Sequence, residues 1–363
     1  MHLVVLNVAY PFAPIGPEAV GGAEQIVTQL DAALTHDGHE SIVMACESSV
    51  TDGILLATRK PSGILDEAER RRIHEQYRFT MHKFVEKWPI DLIHMHGVDF
   101  YEYLPPPGIP VLVTLHLPVH WYPENIFHLE RPRTHLHCVS ARQRSCCPPC
   151  TNLLPEIENG IPPELLASHH AKRNFAVTIG RICPEKGFHL ALEAAKRAQT
   201  PLLLAGQIFR YEAHQNYFKD EIAPRLDQLR RFIGPIGFRR KRRLLSSARC
   251  LLAPSLAPET SSLVAMESLA CGTPVIAFRD GALADVVEDG KTGFLVGDER
   301  QMADAIHAAR SLDREVCRQV ARDRFSHTGM IQKYFSIYER LVTEARAAET
   351  DSPGTTKVIA GAV

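Results

Sequence analysis

Twice in this chain a short apolar run leads into a glycine-bearing turn and then into a segment of helical period. The first instance runs from Leu3 to Val8, through a loop holding Pro11, Pro14, Gly16, Pro17, Gly21 and Gly22, into a helix expected from about Ala23 to Leu34. The second runs from Ala176-Val177-Thr178-Ile179 through the turn Gly180 to Gly187 into a helix expected over Phe188 to Ala198. Strand, glycine turn and helix open a Rossmann-like unit. Further β-rich runs follow in each half: Ser41–Ala45, Ile54–Ala57, Leu92–Met95, Val111–Leu115 and Leu136–Ser140, then Leu202–Ala205, Arg231–Ile233, Cys250–Ala253, Val275–Phe278 and Phe294–Val296. A long polar helix is expected at about Asp66 to Lys87, and the chain after Gly297 reads as helical. Two doubly wound α/β domains result, over residues 1–160 and 170–322, and a length of 363 residues suits two. The connection from Asn159-Gly160-Ile161-Pro162-Pro163 to Asn174 is rich in breakers and has no sustained period, so it reads as the linker. Residues 350–363 are expected to be loose.

Composition narrows the function classes. A net charge of -1 argues against a general nucleic-acid binder, which needs surplus cations to neutralise phosphates. No apolar run approaches the roughly 18 residues a membrane span requires, and Leu3-Val4-Val5-Leu6 is too short for a signal peptide, so a cytoplasmic location is expected. Nine cysteines, an odd number, fit reduced thiols. Cys138, Cys146, Cys147 and Cys150 cluster, and Cys147 with Cys150 can seed a zinc or redox site. No second, well-spaced pair completes a tetrahedral set, so free thiols and no metal are the expectation.

The chemistry concentrates in Pro258-Glu259-Thr260-Ser261-Ser262-Leu263-Val264-Ala265-Met266-Glu267-Ser268-Leu269. Thr260, Ser261 or Ser262 can cap a helix whose apolar face is Leu263, Val264, Met266 and Leu269, and Gly272-Thr273-Pro274 stops it before a buried strand. Glu259 then lies at the helix mouth and Glu267 two turns in. Free N–H groups at such a mouth attract phosphate, whereas carboxylates help only a ligand with hydroxyls to donate. A sugar nucleotide carries both. Gly21-Gly22-Ala23-Glu24 adds a second helix start where bare N–H groups can approach a diphosphate, and the G-x-G-x-x-G pattern of dinucleotide binding is absent from both halves. Arg181 and Lys186, in Gly180-Arg181-Ile182-Cys183-Pro184-Glu185-Lys186-Gly187, supply cations to a departing diphosphate.

The Glu-x7-Glu spacing, the Gly-Gly-x-Glu loop, the Gly-Arg-x4-Lys-Gly turn and Asn159-Gly160-Ile161-Pro162 together resemble the family 4 retaining glycosyltransferases of the GT-B fold. The resemblance implies two Rossmann-like domains facing across a cleft, with a helix at about 325–347 crossing back to complete the first, acceptor-side domain. It implies that Glu267 holds the ribose hydroxyls, Glu259 the donor-sugar hydroxyls, and the N–H groups of Leu263 and Val264 the phosphates. Gly22, beside Gly21, would offer an N–H to the distal phosphate or the sugar. Arg181 and Lys186 would grip the diphosphate, and His116, in Val113-Thr114-Leu115-His116, matches the family's active-site histidine. His94 and His96 fall at the acceptor cleft or merely pack, and Asn159 falls in the hinge motif. The chain departs from the family at Ser261-Ser262, which replaces an aromatic-glycine pair. The implied reaction is front-face attack by an acceptor hydroxyl with retention, no enzyme nucleophile and no metal or other cofactor, the donor being a UDP- or GDP-linked hexose. The acceptor, a sugar, a lipid-linked sugar or a small molecule, is left open. Two basic stretches, Arg70-Arg71-Arg72 and Arg239-Arg240-Lys241-Arg242-Arg243, read as solvated faces or as a peripheral contact with the inner face of a membrane. A nucleotide-sugar epimerase and a non-catalytic sugar-nucleotide sensor share the same binding motifs and remain alternatives.

Overall fold

Every strand pair in the computed structural model, which describes residues 1–59, 65–168 and 170–350, runs parallel. The first sheet holds β1 (Val4–Val8), β2 (Glu40–Cys46), β3 (Ile54–Thr58), β4 (Leu92–Met95), β5 (Val111–Leu115) and β6 (Thr134–Cys138) in the order β3-β2-β1-β4-β5-β6. The second repeats that topology with β7 (Ala176–Ile179), β8 (Leu202–Ala205), β9 (Arg230–Phe232), β10 (Cys250–Ala253), β11 (Val275–Phe278) and β12 (Gly293–Val296), in the order β12-β11-β10-β7-β8-β9. Parallel strands covered by helices on both faces are buried on both sides, which is why β10 reads as an unbroken apolar run, and β1 and β5 as runs broken only by the buried Asn7 and Thr114, rather than as alternation. Strand order reverses between β1 and β4 and again between β7 and β10. Crevices form beyond the carboxyl ends of the strands at such switch points. The loops after β1, β4, β5, β7 and β10 carry Gly21-Gly22, His96, His116, Arg181 with Lys186, and Glu259.

Several element boundaries shift by one or two residues from the sequence expectation. β6 ends at Cys138 and not at Ser140, because the Ser140 hydroxyl accepts from Gln143 N and caps the next helix, Ala141–Ser145. β9 begins one residue early, at Arg230. The stretch expected to be loose lies outside the described residues beyond Thr350.

The last helix, His327–Thr350, returns to the first sheet. Its start is tied to the linker: Ile161 N donates to Phe325 O at 2.8 Å and His327 N to Ile161 O at 2.9 Å. A Cβ on Gly160 would stand 2.6 Å from His327 Cα, so this approach requires glycine. Tyr334 and Tyr338 of the helix are fully buried in a core that also holds Leu3 and Leu92 of the first half and Val177 and Leu251 of the second. Farther along, Arg346 pairs with Asp91 at 2.6 Å.

Under this helix lies a knot of imidazoles. His94 Nδ1 meets Tyr338 Oη at 2.7 Å and its Nε2 meets Thr114 Oγ1 at 2.7 Å; Thr114 Oγ1 in turn meets His137 Nε2 at 2.7 Å. His96 Nδ1 meets His116 Nε2 at 3.1 Å. His94, which the resemblance allowed at the acceptor cleft, is therefore an interior residue that seats the crossing helix, with no exposed surface. Burial, then the neighbouring imidazoles, push His94 and His96 well below the ordinary histidine range; burial first also brings His116 down to about 3 and His137 down to about 4. These folded-state values lie below the unfolded ones, so the unfolded chain takes up more protons below about pH 6.5 and the fold loses stability as pH falls. Each such histidine costs on the order of 1 kcal/mol per pH unit in that range. Thermal melting followed from about pH 7.5 down to about pH 5 should show a steady fall in Tm, shallower in His137→Asn; equal pH slopes in the two proteins would contradict this account.

Candidate active site

The helix Leu263–Ala270 starts at the cleft in an unusual way. Ser262 occupies its N-cap position with φ 65° and ψ 67°, in the left-handed region, and its side chain makes no capping bond. The expected serine cap is thus absent at Ser262, where the left-handed turn carries its hydroxyl away from the helix N–H groups. Thr260 does not cap either: its hydroxyl donates across the cleft to the His116 carbonyl at 2.7 Å. Ser261 Oγ is buried without a partner. The N–H groups of Leu263 and Val264 have no acceptor among the described residues, since the first helical bonds run from Ala265 and Met266 to Ser262 O. The mouth is therefore open to an anion.

Glu259 faces that mouth. Lys186 Nζ and Ser255 Oγ both reach its Oε1 at 2.5 Å. Burial pushes the Glu259 carboxyl up, but the Lys186 charge, the bonds from Lys186 and Ser255, and Arg181 outweigh it and hold the group below the usual carboxylate range. Lys186 is positioned by Gly187, whose left-handed φ of 60° turns the loop where a Cβ would strike Pro254 O at 2.1 Å. Glu259 is positioned by Gly281 at φ 56°, where a Cβ would stand 2.3 Å from Glu259 N, and by Ala282 N, which donates to Glu259 O at 2.7 Å. Arg181 has no ion pair among the described residues and lies close enough to lower both Glu259 and Glu24. In Glu24, burial prevails and raises the carboxyl.

Glu267, one turn from the helix end, is 4% exposed and pairs with Lys241. Lys241 belongs to the basic stretch read from sequence as surface, and this is a correction: its side chain points into the cleft from the helix Phe238–Ser247. Phe238, Lys241 and Leu245 recur at three- and four-residue spacing on one face, a periodic signal that could have found it. Arg242 is engaged as well, donating to Leu165 O at 3.0 Å, while Arg239, Arg240 and Arg243 stay exposed. From the first half, Gly22 faces the same mouth; a Cβ there would lie 3.5 Å from Leu263 Cδ1. Gly21 caps the helix Gly22–His36 and is overlaid by the Glu24 carboxylate, 1.8 Å from a would-be Cβ. Glu18 Oε2 accepts from Phe238 N at 3.0 Å and joins the two halves at the far side.

His116 is 8% exposed at the end of β5, its ring backed by His96, whose Nε2 is buried without a partner. His96 thus stands behind the cleft, in contact with His116, and not on its wall. Asn159 is buried at the hinge with Oδ1 unpartnered. The thiol cluster does not converge: Cys138 and Cys147 sulfurs are 3.4 Å apart, while Cys150 donates to Phe127 O at 3.2 Å. Among the described residues, metal-ligand atoms converge instead at Cys183, Glu185 and His214, within 4.8 Å of one another, a mixed donor set that a transition metal accepts.

Two family models match, one described as Glycosyltransferase Family 4 over residues 20–145 and one as Glycosyl transferases group 1 over residues 173–311. An uncharacterized glycosyltransferase of Methanocaldococcus jannaschii is 30% identical over 139 residues, 38% of each chain. The phosphatidyl-myo-inositol mannosyltransferase of Mycobacterium leprae is 26% identical over 216 residues, 54% of this chain and 56% of that one. The chain thus spans about half, or less, of the length of these curated relatives. Among solved structures, Anabaena Alr3699/HepE in complex with UDP-glucose superposes with a TM-score of 0.70 at 17% identity, over 96% of this chain and 100% of that one.

Because Gly281 combines a left-handed φ with backbone contact to Glu259, Gly281→Ala should cost roughly 1–3 kcal/mol and displace the Glu259 carboxylate. The variant is expected to melt several degrees lower and to bind cleft ligands at least tenfold more weakly. Unchanged melting and binding would show that Gly281 does not hold the site.

Proposed function

We propose a reaction for this chain on the premise that it belongs to the family 4 glycosyltransferases of GT-B fold. The reaction is transfer of a hexose from a nucleoside diphosphate sugar, a UDP- or GDP-sugar, to an acceptor hydroxyl with retention of anomeric configuration. The observation that carries it is the open mouth of the Leu263–Ala270 helix, flanked by Arg181 and Lys186 and faced by two inward carboxylates. The two chemistries of a sugar nucleotide, anionic phosphate and neutral hydroxyl, find their complements at one place.

In this reading the N–H groups of Leu263 and Val264 and the positive end of the helix take the phosphate oxygens. Arg181 and Lys186 neutralise the charge that grows on the diphosphate as the glycosidic bond breaks. Glu267, oriented by Lys241, accepts from the ribose hydroxyls. Glu259 accepts from the donor sugar, and as it does so Lys186 is freed to turn toward the phosphates. Gly22 brings a bare N–H to the distal phosphate or the sugar. His116, neutral over the physiological range because burial depresses it, lines the acceptor side and can accept a hydrogen bond from an incoming hydroxyl. No side chain is assigned as a nucleophile, and the leaving phosphate is the base for the acceptor proton. The cations and the helix end do the work a divalent metal does elsewhere, so no metal or other cofactor is proposed. The solved UDP-glucose complex of a protein of the same fold supports a uridine donor as the first to test.

No helix among the described residues is long and apolar enough to cross a membrane. Arg239, Arg240 and Arg243 remain outward, and through them we propose a peripheral contact with an anionic membrane if the acceptor is lipid-linked.

A panel of UDP, GDP, ADP and their common sugars, read by thermal shift on wild type and Glu267→Ala, tests the donor site. A ligand at a hundred times its Kd stabilises by about 2.7 kcal/mol, so one nucleotide series should raise Tm in wild type and lose most of that effect in Glu267→Ala. Lys241→Met should weaken the same nucleotide about tenfold by leaving Glu267 without its orienting partner. Equal shifts in all three proteins would remove Glu267 from the donor site, and tight binding with no hydrolysis or transfer would favour a sensor.

A further inference from the structure

At the opposite edge of the second sheet from the donor cleft, the amino ends of β7, β10 and β11 enclose a cavity of about 270 Å³. Five cations line it, Lys172, Arg173, Arg249, Arg310 and Arg314, and among the described residues no carboxylate does. We propose that this cavity binds a small, multiply charged phosphorylated anion, at a site separate from the donor cleft.

Arg249 makes the case. It is 8% exposed, its backbone is fixed at the start of β10 by a bond from Arg249 N to Phe175 O at 2.8 Å, and its Nη1 is buried with no partner. Guanidinium groups are always charged and are rarely buried without an acceptor, so Arg249, which lines the cavity and leaves Nη1 unpartnered, calls for an anion there. The neighbours do not supply it. Arg310 reaches only the Asn174 side-chain oxygen, at 3.4 Å, and the adjacent Asp313 carboxylate accepts from Glu315 N at 2.8 Å to cap the helix Arg314–Arg324. Lys172 donates to Leu245 O at 3.4 Å and to Thr273. Burial, and then the nearby Arg314 and Arg318, push Lys172 down to about 7, so of the five it alone is only partly charged near neutral pH, and an arriving anion would charge it fully. Arginine forks match tetrahedral oxyanions, and several around one small cavity favour more than one negative charge. The volume is below that of a pocket for a drug-sized ligand, roughly 300–1,000 Å³, and suits inorganic phosphate, pyrophosphate or a sugar phosphate. A strand of four residues, about 13 Å, separates this edge from the Arg181 turn after β7, so the anion and a donor can bind together.

Pyrophosphate and inorganic phosphate titrated into the full chain by calorimetry, against sodium chloride of equal ionic strength, provide the test. An Arg181→Gln/Lys186→Gln background removes phosphate affinity at the donor cleft. Saturable pyrophosphate binding should persist in that background and weaken at least tenfold when Arg310→Gln and Arg314→Gln are added, both at exposed positions that leave the fold intact; Arg249→Gln should do the same. Binding that vanishes with Arg181→Gln/Lys186→Gln alone, that survives the Arg310→Gln/Arg314→Gln pair, or that sodium chloride reproduces would overturn the proposal. Stronger binding of pyrophosphate than of phosphate assigns a diphosphate ligand, and equal binding a single phosphoryl group.

Discussion

A carboxylate buried at the mouth of a helix stays ionised only if cations hold it there, and the contact between Lys186 and Glu259 is where this protein meets that requirement. Burial alone would protonate Glu259 and remove its capacity to accept two hydroxyls; the lysine, with Ser255 and Arg181, reverses the balance. The contact in turn fixes three segments far apart in sequence. Lys186 sits where it does because Gly187 turns left-handed beneath Pro254, at the end of the strand that carries Glu259. Glu259 sits where it does because Gly281, after the next strand, packs on its backbone. The backbones of the loops after β7, β10 and β11 are therefore held as one unit, and only the Lys186 side chain is left to move between the carboxylate and the phosphates.

Glu267 repeats the arrangement with Lys241. Each glutamate of the pair is held by one lysine from a different helix or turn, so both acceptors are aimed before any ligand arrives. Such preorganisation is inexpensive in a partly dry cleft only because each ion pair is also hydrogen-bonded. It also gives the two lysines distinct places. Lys186 lies between a carboxylate and the open helix mouth and can exchange one for the other, whereas Lys241 lies deep, on the ribose side of Glu267, and orients.

Much of this was legible in the sequence, for identifiable reasons. The strands were readable because parallel sheets bury both faces, so β10 and β11 appear as plain apolar runs and β1 and β5 as runs with one polar residue each. The two glutamates were readable because both fall in one continuous stretch, one in the loop that feeds the helix and one on the helix itself. Lys241 was not, because its partner is reached through the fold and a run of five basic residues reads first as surface; only the three- and four-residue recurrence with Phe238 and Leu245 marks it. Ser262 misled for a related reason. Serine before an apolar helix reads as a cap, yet the chain here takes the left-handed turn that glycine usually provides, and the hydroxyl leaves the helix axis. His94 stayed open between the cleft and the interior because a strand end beside a cleft and a strand end beneath a crossing helix look alike until the helix is placed. The Arg249 cavity had no sequence signature at all, since its five cations come from a linker, a strand start, a turn and a helix start.

The two halves touch in two very different ways. Across the cleft the joins among the described residues include Thr260 to the His116 carbonyl, Glu18 to Phe238 N, Arg142 beside Asp285 at 3.8 Å, and Arg70 over the ring of Tyr211 at 6.0 Å, all polar or charged. At the back, one apolar core runs through the crossing helix from Leu3 to Val177, and the linker is threaded to the helix start by two backbone bonds where only glycine fits. Water can replace the first kind of contact at little cost and cannot replace the second. Any opening of the cleft would therefore have to pivot near Gly160 and His327, where the linker and the crossing helix are tied together. The same geometry explains why the ligand-facing groups of both halves lie on the side that opens: a donor must enter between Gly22 and Leu263, and the contacts that yield to it are the ones built from single hydrogen bonds.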